Sequence, residues 1–285
     1  LKAFLGDELR DHIEANDEFP ETTTTLPLHA LARLVDPFEE AAASVASQFA
    51  DPRTAPGPNP EEFAVNLTLS SLSPSLRYTG TALAEETRRV VFRPAEVNER
   101  PAGTTVDLVG TLFLDAALVV LGDEPQRDLT GATLTLHITI EQQPVPEAAA
   151  EKSPVVDFDG SVTLAGTVSG GAEVSATGDL PRDRFFIADL GTIAPDFDAI
   201  HVLVLPAVQL DYEYQAVVDE PFELVAALRV EAACAPGGTS VAAIIGTPLE
   251  LLAEVLALTS GDELAAKEVQ RAVLQERASP TGLPA

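Results

Sequence analysis

From residue 65 onward the chain repeatedly alternates apolar and polar residues one by one, and no other feature restricts its fold as much. Leu134, Leu136, Ile138 and Ile140 are interleaved with Thr133, Thr135, His137 and Thr139. Successive side chains of a strand point to opposite faces, so this pattern predicts a strand with one apolar and one wet face. Val65, Leu67 and Leu69, set between Asn66, Thr68 and Ser70, predict another. So do Val208, Leu210, Tyr212 and Tyr214, and then Phe222, Leu224, Ala226, Leu228 and Val230. Val162, Leu164 and Val168 lead through Ser169-Gly170-Gly171-Ala172 to Val174 and Ala176, where the glycine pair suits a two-residue hairpin turn.

Two segments break the alternation: Leu118 to Leu121 and Val202 to Leu205 are apolar at every position. Strands of this kind are covered on both faces. The cover has to come from helices laid over a sheet or from a contact between copies.

Helical periodicity marks the two ends. Phe4, Leu5, Leu9 and Ile13 fall on one face of a helix over 1–19, and Leu28, Leu31, Leu34 and Val35 begin a second. Asp36, Pro37 and Glu39 have the cap, first-turn proline and capping-box spacing of a third helix running to Phe49. Pro52, Pro56, Pro58 and Pro60 exclude regular helix and central strand from 51–60, which reads as a linker. At the other end, Thr247-Pro248-Leu249-Glu250 and Ser260-Gly261-Asp262-Glu263 are capping boxes. The apolar positions Leu251, Leu252, Val255, Leu256, Leu264, Val269 and Val273 follow them.

The expected architecture is therefore mainly β: an antiparallel β-sandwich or jelly-roll-like body with N- and C-terminal amphipathic helices. Its parts are an N-terminal helical arm at 1–50, the Pro-rich linker at 51–60, the body at 61–247 and a C-terminal helical segment at 248–285. With 285 residues, 46% of them hydrophobic, the chain holds enough apolar surface for a sizeable core. Trp and Met are absent and aromatics amount to 5%, so Leu, Val, Ala, Ile and the 12 Phe must fill it. Leu1 opens the sequence, and with no methionine anywhere a start upstream of Leu1 is expected.

Charge narrows the choice of partners. Seventeen Lys plus Arg against 45 Asp plus Glu give −28, which repels phosphate and opposes binding to nucleic acid or anionic membrane. Only Lys2, Lys152 and Lys267 are lysines. An acid excess with so little lysine fits work in high salt, where screening shortens to about 3 Å near 1 M. A cell-surface protein kept soluble by its charge, or one that takes up divalent cations, fits the same numbers. The charge-free stretch between Glu231 and Glu250 is too short and too broken by Pro and Gly to be an integral membrane span.

Chemistry is sparse. Phosphate-binding glycine loops, the G-x-S-x-G nucleophile elbow, H-E-x-x-H and paired C-x-x-C are all absent from the sequence. His12 and His29 lie in helical patterns, His137 is on the wet side of its strand, and His201 among Ile200, Val202 and Val204 reads as a hydrogen-bonded core histidine. Cys234 has no basic neighbour to activate it and reads as a small buried hydrophobe. Asn66-Leu67-Thr68 fits a glycosylation sequon. Asp157-Phe158-Asp159 and Asp196-Phe197-Asp198 repeat one acidic spacing near strand starts. Alternation places both carboxylates of a pair on one side, where Asp157, Asp159, Asp196 and Asp198 could supply oxygen ligands to calcium. Aspartates at strand ends also serve as turn-formers. No other cofactor is indicated.

These features point to a non-enzymatic structural subunit that self-assembles as a homo-oligomer, in a surface layer, filament or virion shell, at a cell surface, outside the cell or in a virion. The alternatives are a carrier of lipid or another apolar ligand in an elongated hydrophobic tunnel, and a hydrolase with a dispersed acidic site.

Overall fold

The computed structural model describes residues 2–5, 8–12, 28–36, 39–47, 64–71, 76–122, 127–145, 153–188, 200–245, 252–253, 264 and 266–271. Within them the chain is mainly β and its paired strands are antiparallel. In chain order the strands are β1 (Lys2–Leu5), β2 (Glu8–His12), β3 (Leu28–Asp36), β4 (Glu39–Ser47), β5 (Ala64–Ser71), β6 (Leu76–Val90) and β7 (Thr105–Gly122). They continue with β8 (Thr133–Pro144), β9 (Val155–Gly166), β10 (Ala172–Gly178), β11 (Phe186–Ala188), β12 (Ile200–Val217), β13 (Phe222–Cys234) and β14 (Thr239–Ile245). Among the described residues they make two seven-stranded sheets. Sheet I has the order β10-β9-β8-β13-β6-β1-β2, and sheet II the order β11-β12-β7-β14-β5-β4-β3.

The period-2 residues behave as their sequence demands. Leu134, Leu136, Ile138 and Ile140 of β8 and Leu224, Ala226, Leu228 and Val230 of β13 are buried in one cluster. Leu112, Leu114, Leu118 and Val120 of β7 and Leu203, Leu205 and Leu210 of β12 belong to it too. Both sheets thus feed a common core, and each leucine or isoleucine buried there contributes on the order of 1.5–3 kcal/mol. The opposite face of sheet I is wet and carries short hydroxyls. Thr135 and Thr163 are joined by their Oγ1 atoms at 2.9 Å, and Ser161 Oγ lies 2.8 Å from Thr177 Oγ1.

Sheet II is different. Ala117, Val119 and Leu121 of β7, Val202 and Val204 of β12 and Ala242 and Ile244 of β14 form a second buried cluster on its other face. Leu252, Ala253, Ala266 and Val269 close this cluster, and residues 252–253 and 266–271 are helical. The unbroken apolar runs 118–121 and 202–205 are explained: one phase faces the common core and the other lies under helical cover. The expected C-terminal segment 248–285 extends beyond these described residues.

Three expectations need correction. The described residues between 2 and 47 are strands, not the helices expected over 1–50. Segment 39–47 has good local helix propensity, but the chain pairs it residue by residue with β3 and β5, and these ladders override a weak local preference. His12 and His29 accordingly stand in β2 and β3. Second, the β9–β10 connection is not a Gly170-Gly171 turn: Ser169 (φ 59°) and Gly170 (φ 69°) take the left-handed positions, and Thr167 N donates to Gly171 O at 2.8 Å. Third, Ile200–Val217 is a single strand, whose pairing with β7 shifts between Leu205 and Val208, where Pro206 offers no N–H. The linker 51–60 falls outside the described residues.

Gly110 is required by packing. Tyr212 stands opposite Gly110 across β12 and β7, and a Cβ at Gly110 would overlap the tyrosine ring. Gly110→Ala is expected to cost about 1–3 kcal/mol by overpacking. Urea unfolding checks this, and an unchanged midpoint would mean that Tyr212 does not fill that space.

Candidate functional site

The acidic pair in β9 does not keep the geometry that alternation suggests. Ile140 pairs with Phe158 but Glu141 pairs with Val156, so Asp157 is the extra residue of a bulge. Phe158 is buried. Half-buried Asp157 accepts from Gln142 Nε2 at 2.9 and 3.0 Å. Exposed Asp159 instead lies 2.7 Å from His137 Nε2, while its backbone N–H donates to Asp179 at 2.9 Å. The two carboxylates are thus held by different neighbours. Among the described residues no group of three His, Cys, Asp or Glu converges as a metal site would require, and Asp196 and Asp198 lie outside them.

Burial pushes the Asp157 carboxyl above the usual aspartate range, more than the Gln142 hydrogen bond lowers it. A carboxyl raised in the native state binds its proton more tightly there, so its contribution to stability falls as pH rises from the unfolded value through the raised one. Asp157→Asn keeps an acceptor for Gln142 and removes this penalty. The variant is expected to be more stable than the parent at pH 7 and equal to it at pH 3, as read by thermal melts at both. Loss of stability at pH 7 would give the charge a favourable role, as a cation ligand for example.

The remaining candidates take structural positions. His201, half-buried, bonds Gly170 O through Nε2 at 2.6 Å and so ties the β9–β10 loop to sheet II. Cys234 is buried, with its Sγ against Thr239 Oγ1 at 3.2 Å. Asn66 is paired within sheet II, opposite the buried Ile244.

A cleft that no local pattern announces lies where β8 and β13 of sheet I meet the end of β12 in sheet II. Its volume is about 230 Å³, and Gln142, Val145, Val155, Ala216, Glu220 and Phe222 are among the residues that line it. Phe222 is half-buried and belongs to a ring cluster, 6.4 Å from Phe92 and 6.3 Å from Tyr214 between centroids. Tyr212 adjoins Tyr214 at 5.8 Å, and burial raises its hydroxyl well above the ordinary tyrosine range, so it stays protonated. These residues come from chain segments far apart in the sequence, which is why no local motif announces them.

A second surface feature is topological. Both sheets end in N-terminal strands, β2 in sheet I and β3 in sheet II, and among the described residues the outer edge of each has no strand partner. The β3 edge is nine residues long, with the sequence Leu28-His29-Ala30-Leu31-Ala32-Arg33-Leu34-Val35-Asp36.

No protein-family model matches this chain, and neither does any curated protein. Solved structures with some likeness include one of infectious bursal disease virus, Gt strain. It has 14% identity, 83% of this chain and 59% of that one covered, and a TM-score of 0.10. The VP2 subviral particle of infectious bursal disease virus gives 12%, 83%, 63% and 0.11. This chain spans less than two thirds of the length of those chains. The sheets themselves define the class: a mainly β, antiparallel protein. No helix among the described residues is long and apolar enough to cross a membrane.

Proposed function

We propose that the chain is a non-enzymatic structural subunit that assembles with copies of itself, built on a sandwich or jelly-roll-like body and working in high salt at a cell surface, outside the cell or in a virion. The observation that carries this reading is the outer edge of β3, which has no strand partner among the described residues. A long edge with unpaired N–H and C=O groups is a template for another strand, and proteins that stay monomeric blunt such edges with charged side chains, proline, a bulge or a covering element. β3 has neither lysine nor proline, Arg33 is its one charge away from the strand end, and it carries Leu28, Leu31, Leu34 and Val35. The lipid-carrier and acidic-hydrolase readings draw on no comparable observation.

Adjacent residues of an edge strand send their N–H groups alternately to the neighbour strand and outward. Of Ala30→Pro and Leu31→Pro, one therefore removes an outward donor and leaves the fold intact. That variant is expected to stay monomeric by light scattering under conditions in which the parent associates. Association by both variants, each folded, would remove the β3 edge from the interface.

Calcium binding by Asp157, Asp159, Asp196 and Asp198 is a separate proposal with its own check. Calcium should raise the melting midpoint beyond magnesium at equal ionic strength, and Asp157→Asn with Asp159→Asn should abolish that increment. Equal responses to the two cations assign the aspartates to turn and strand chemistry.

A further inference from the structure

The two ends of sheet II fit each other. On the side of β12 away from β7, β11 covers only Val202–Val204, and among the described residues no strand pairs with the rest. Past the register shift at Val208, residues 209–217 form an edge as long as β3. Leu210, Tyr212, Tyr214 and Ala216 of this edge are buried in the common core, whereas Gln209, Asp211, Glu213 and Gln215 are exposed on the outer face. The outer row is thus acidic, without a basic residue.

At the other end of the sheet, the ladders fix the phase of β3. Ile245 and Ala243 of β14 belong to the common core, and they lead through Val65 and Leu67 of β5 and Val45 and Ala43 of β4 to Ala30 and Ala32. Positions 28, 30, 32 and 34 therefore have the core phase, and His29, Leu31, Arg33 and Val35 the outer phase, which includes no acid. An odd number of antiparallel ladders separates β12 from β3, so the two strands run in opposite directions. A second copy shifted along the sheet without being turned over brings its β3 antiparallel to β12, core phase beside core phase. In the register that sets Arg33 opposite Asp211, Glu213 lies on the diagonal, within reach of a long side chain. Ala30 and Ala32 then stand opposite Tyr214 and Tyr212, small beside large. A two-fold ladder of β3 with another β3 offers Arg33 no carboxylate on its face.

We propose that β3 of one copy pairs with residues 209–217 of β12 in the next, so that sheet II continues from copy to copy with Arg33 beside Asp211 and Glu213. The inference rests on assembly through β3 and names its partner. A contact between unlike edges does not stop at two copies; it closes into a ring or extends as a filament.

The test is a charge swap on the full chain, read by light scattering at the lowest potassium chloride concentration at which the parent associates, where charges are least screened. Arg33→Glu, and Asp211→Arg together with Glu213→Arg, should each weaken association about fivefold or more, with the circular dichroism spectrum unchanged. An equimolar mixture of the two variants should recover the parent's association, because each then meets the opposite charge on the other chain. Association of the Asp211→Arg, Glu213→Arg variant at the parent's strength would overturn the pairing, as would a mixture no better than its components. A parent that stops at two copies would overturn it too, while leaving assembly through β3 in place as a two-fold contact. A parent that stays monomeric at every salt concentration would remove both. Should a reversal fail to fold, Arg33→Cys and Asp211→Cys chains are mixed and oxidised instead. A disulfide joining the two different chains is then expected, and its absence would overturn the pairing.

Discussion

Replacing Val119 by aspartate is expected to cost more than about 4 kcal/mol, enough to unfold most of the protein at moderate salt. Val119 is fully buried although it stands on the face of sheet II that points away from the common core. It pairs with Val202 and Ala242 across its two ladders and belongs to the cluster that Leu252, Ala253, Ala266 and Val269 close. A carboxylate there has no cation partner within that cluster, and its desolvation opposes folding. The same change at Val109 in the same strand, 63% exposed, should alter stability by no more than about 0.5 kcal/mol. Equal effects at the two positions, measured by urea unfolding, would show that sheet II is wet on this face.

Salt should have the next largest effect. With 45 acidic and 17 basic residues, the folded chain holds carboxylates in mutual repulsion that the expanded chain relieves. Between 0.1 M and 1 M the screening length falls from about 10 Å to about 3 Å. Each kcal/mol of repulsion removed raises the midpoint by roughly 2–4 °C in a chain approaching this size, and a rise on the order of 10 °C is expected over that range. Potassium and sodium chloride should act alike. A flat or falling midpoint would end the high-salt reading while leaving the fold untouched.

How much of this was legible in the residues depended on whether the signal was local. The strand containing Leu134, Leu136, Ile138 and Ile140 could be read because its period is set by the backbone and its two faces meet different solvents. The covered face of sheet II could be read for the same reason, since Val202 to Leu205 leave no polar phase to turn outward. The strand assignment of 39–47 could not, because Ala41, Ala42, Ala43 and Ala46 suit a helix and only pairing with β3 and β5 makes them a strand. Asp157 and Asp159 looked equivalent in sequence, and a one-residue bulge against β8 separated their partners. The cleft, and the β3 edge without a strand partner among the described residues, are properties of arrangement, assembled from segments that share no local pattern.

The central claim is that this chain assembles with itself, and its mass in solution tests that most directly. Light scattering on the full chain, from micromolar concentration upward and from 0.1 M to 3 M potassium chloride, should show discrete multiples of the 30.0 kDa chain that grow with salt as like-charge repulsion between subunits is screened. A mass of one chain at every salt and protein concentration, with the fold intact, would contradict it.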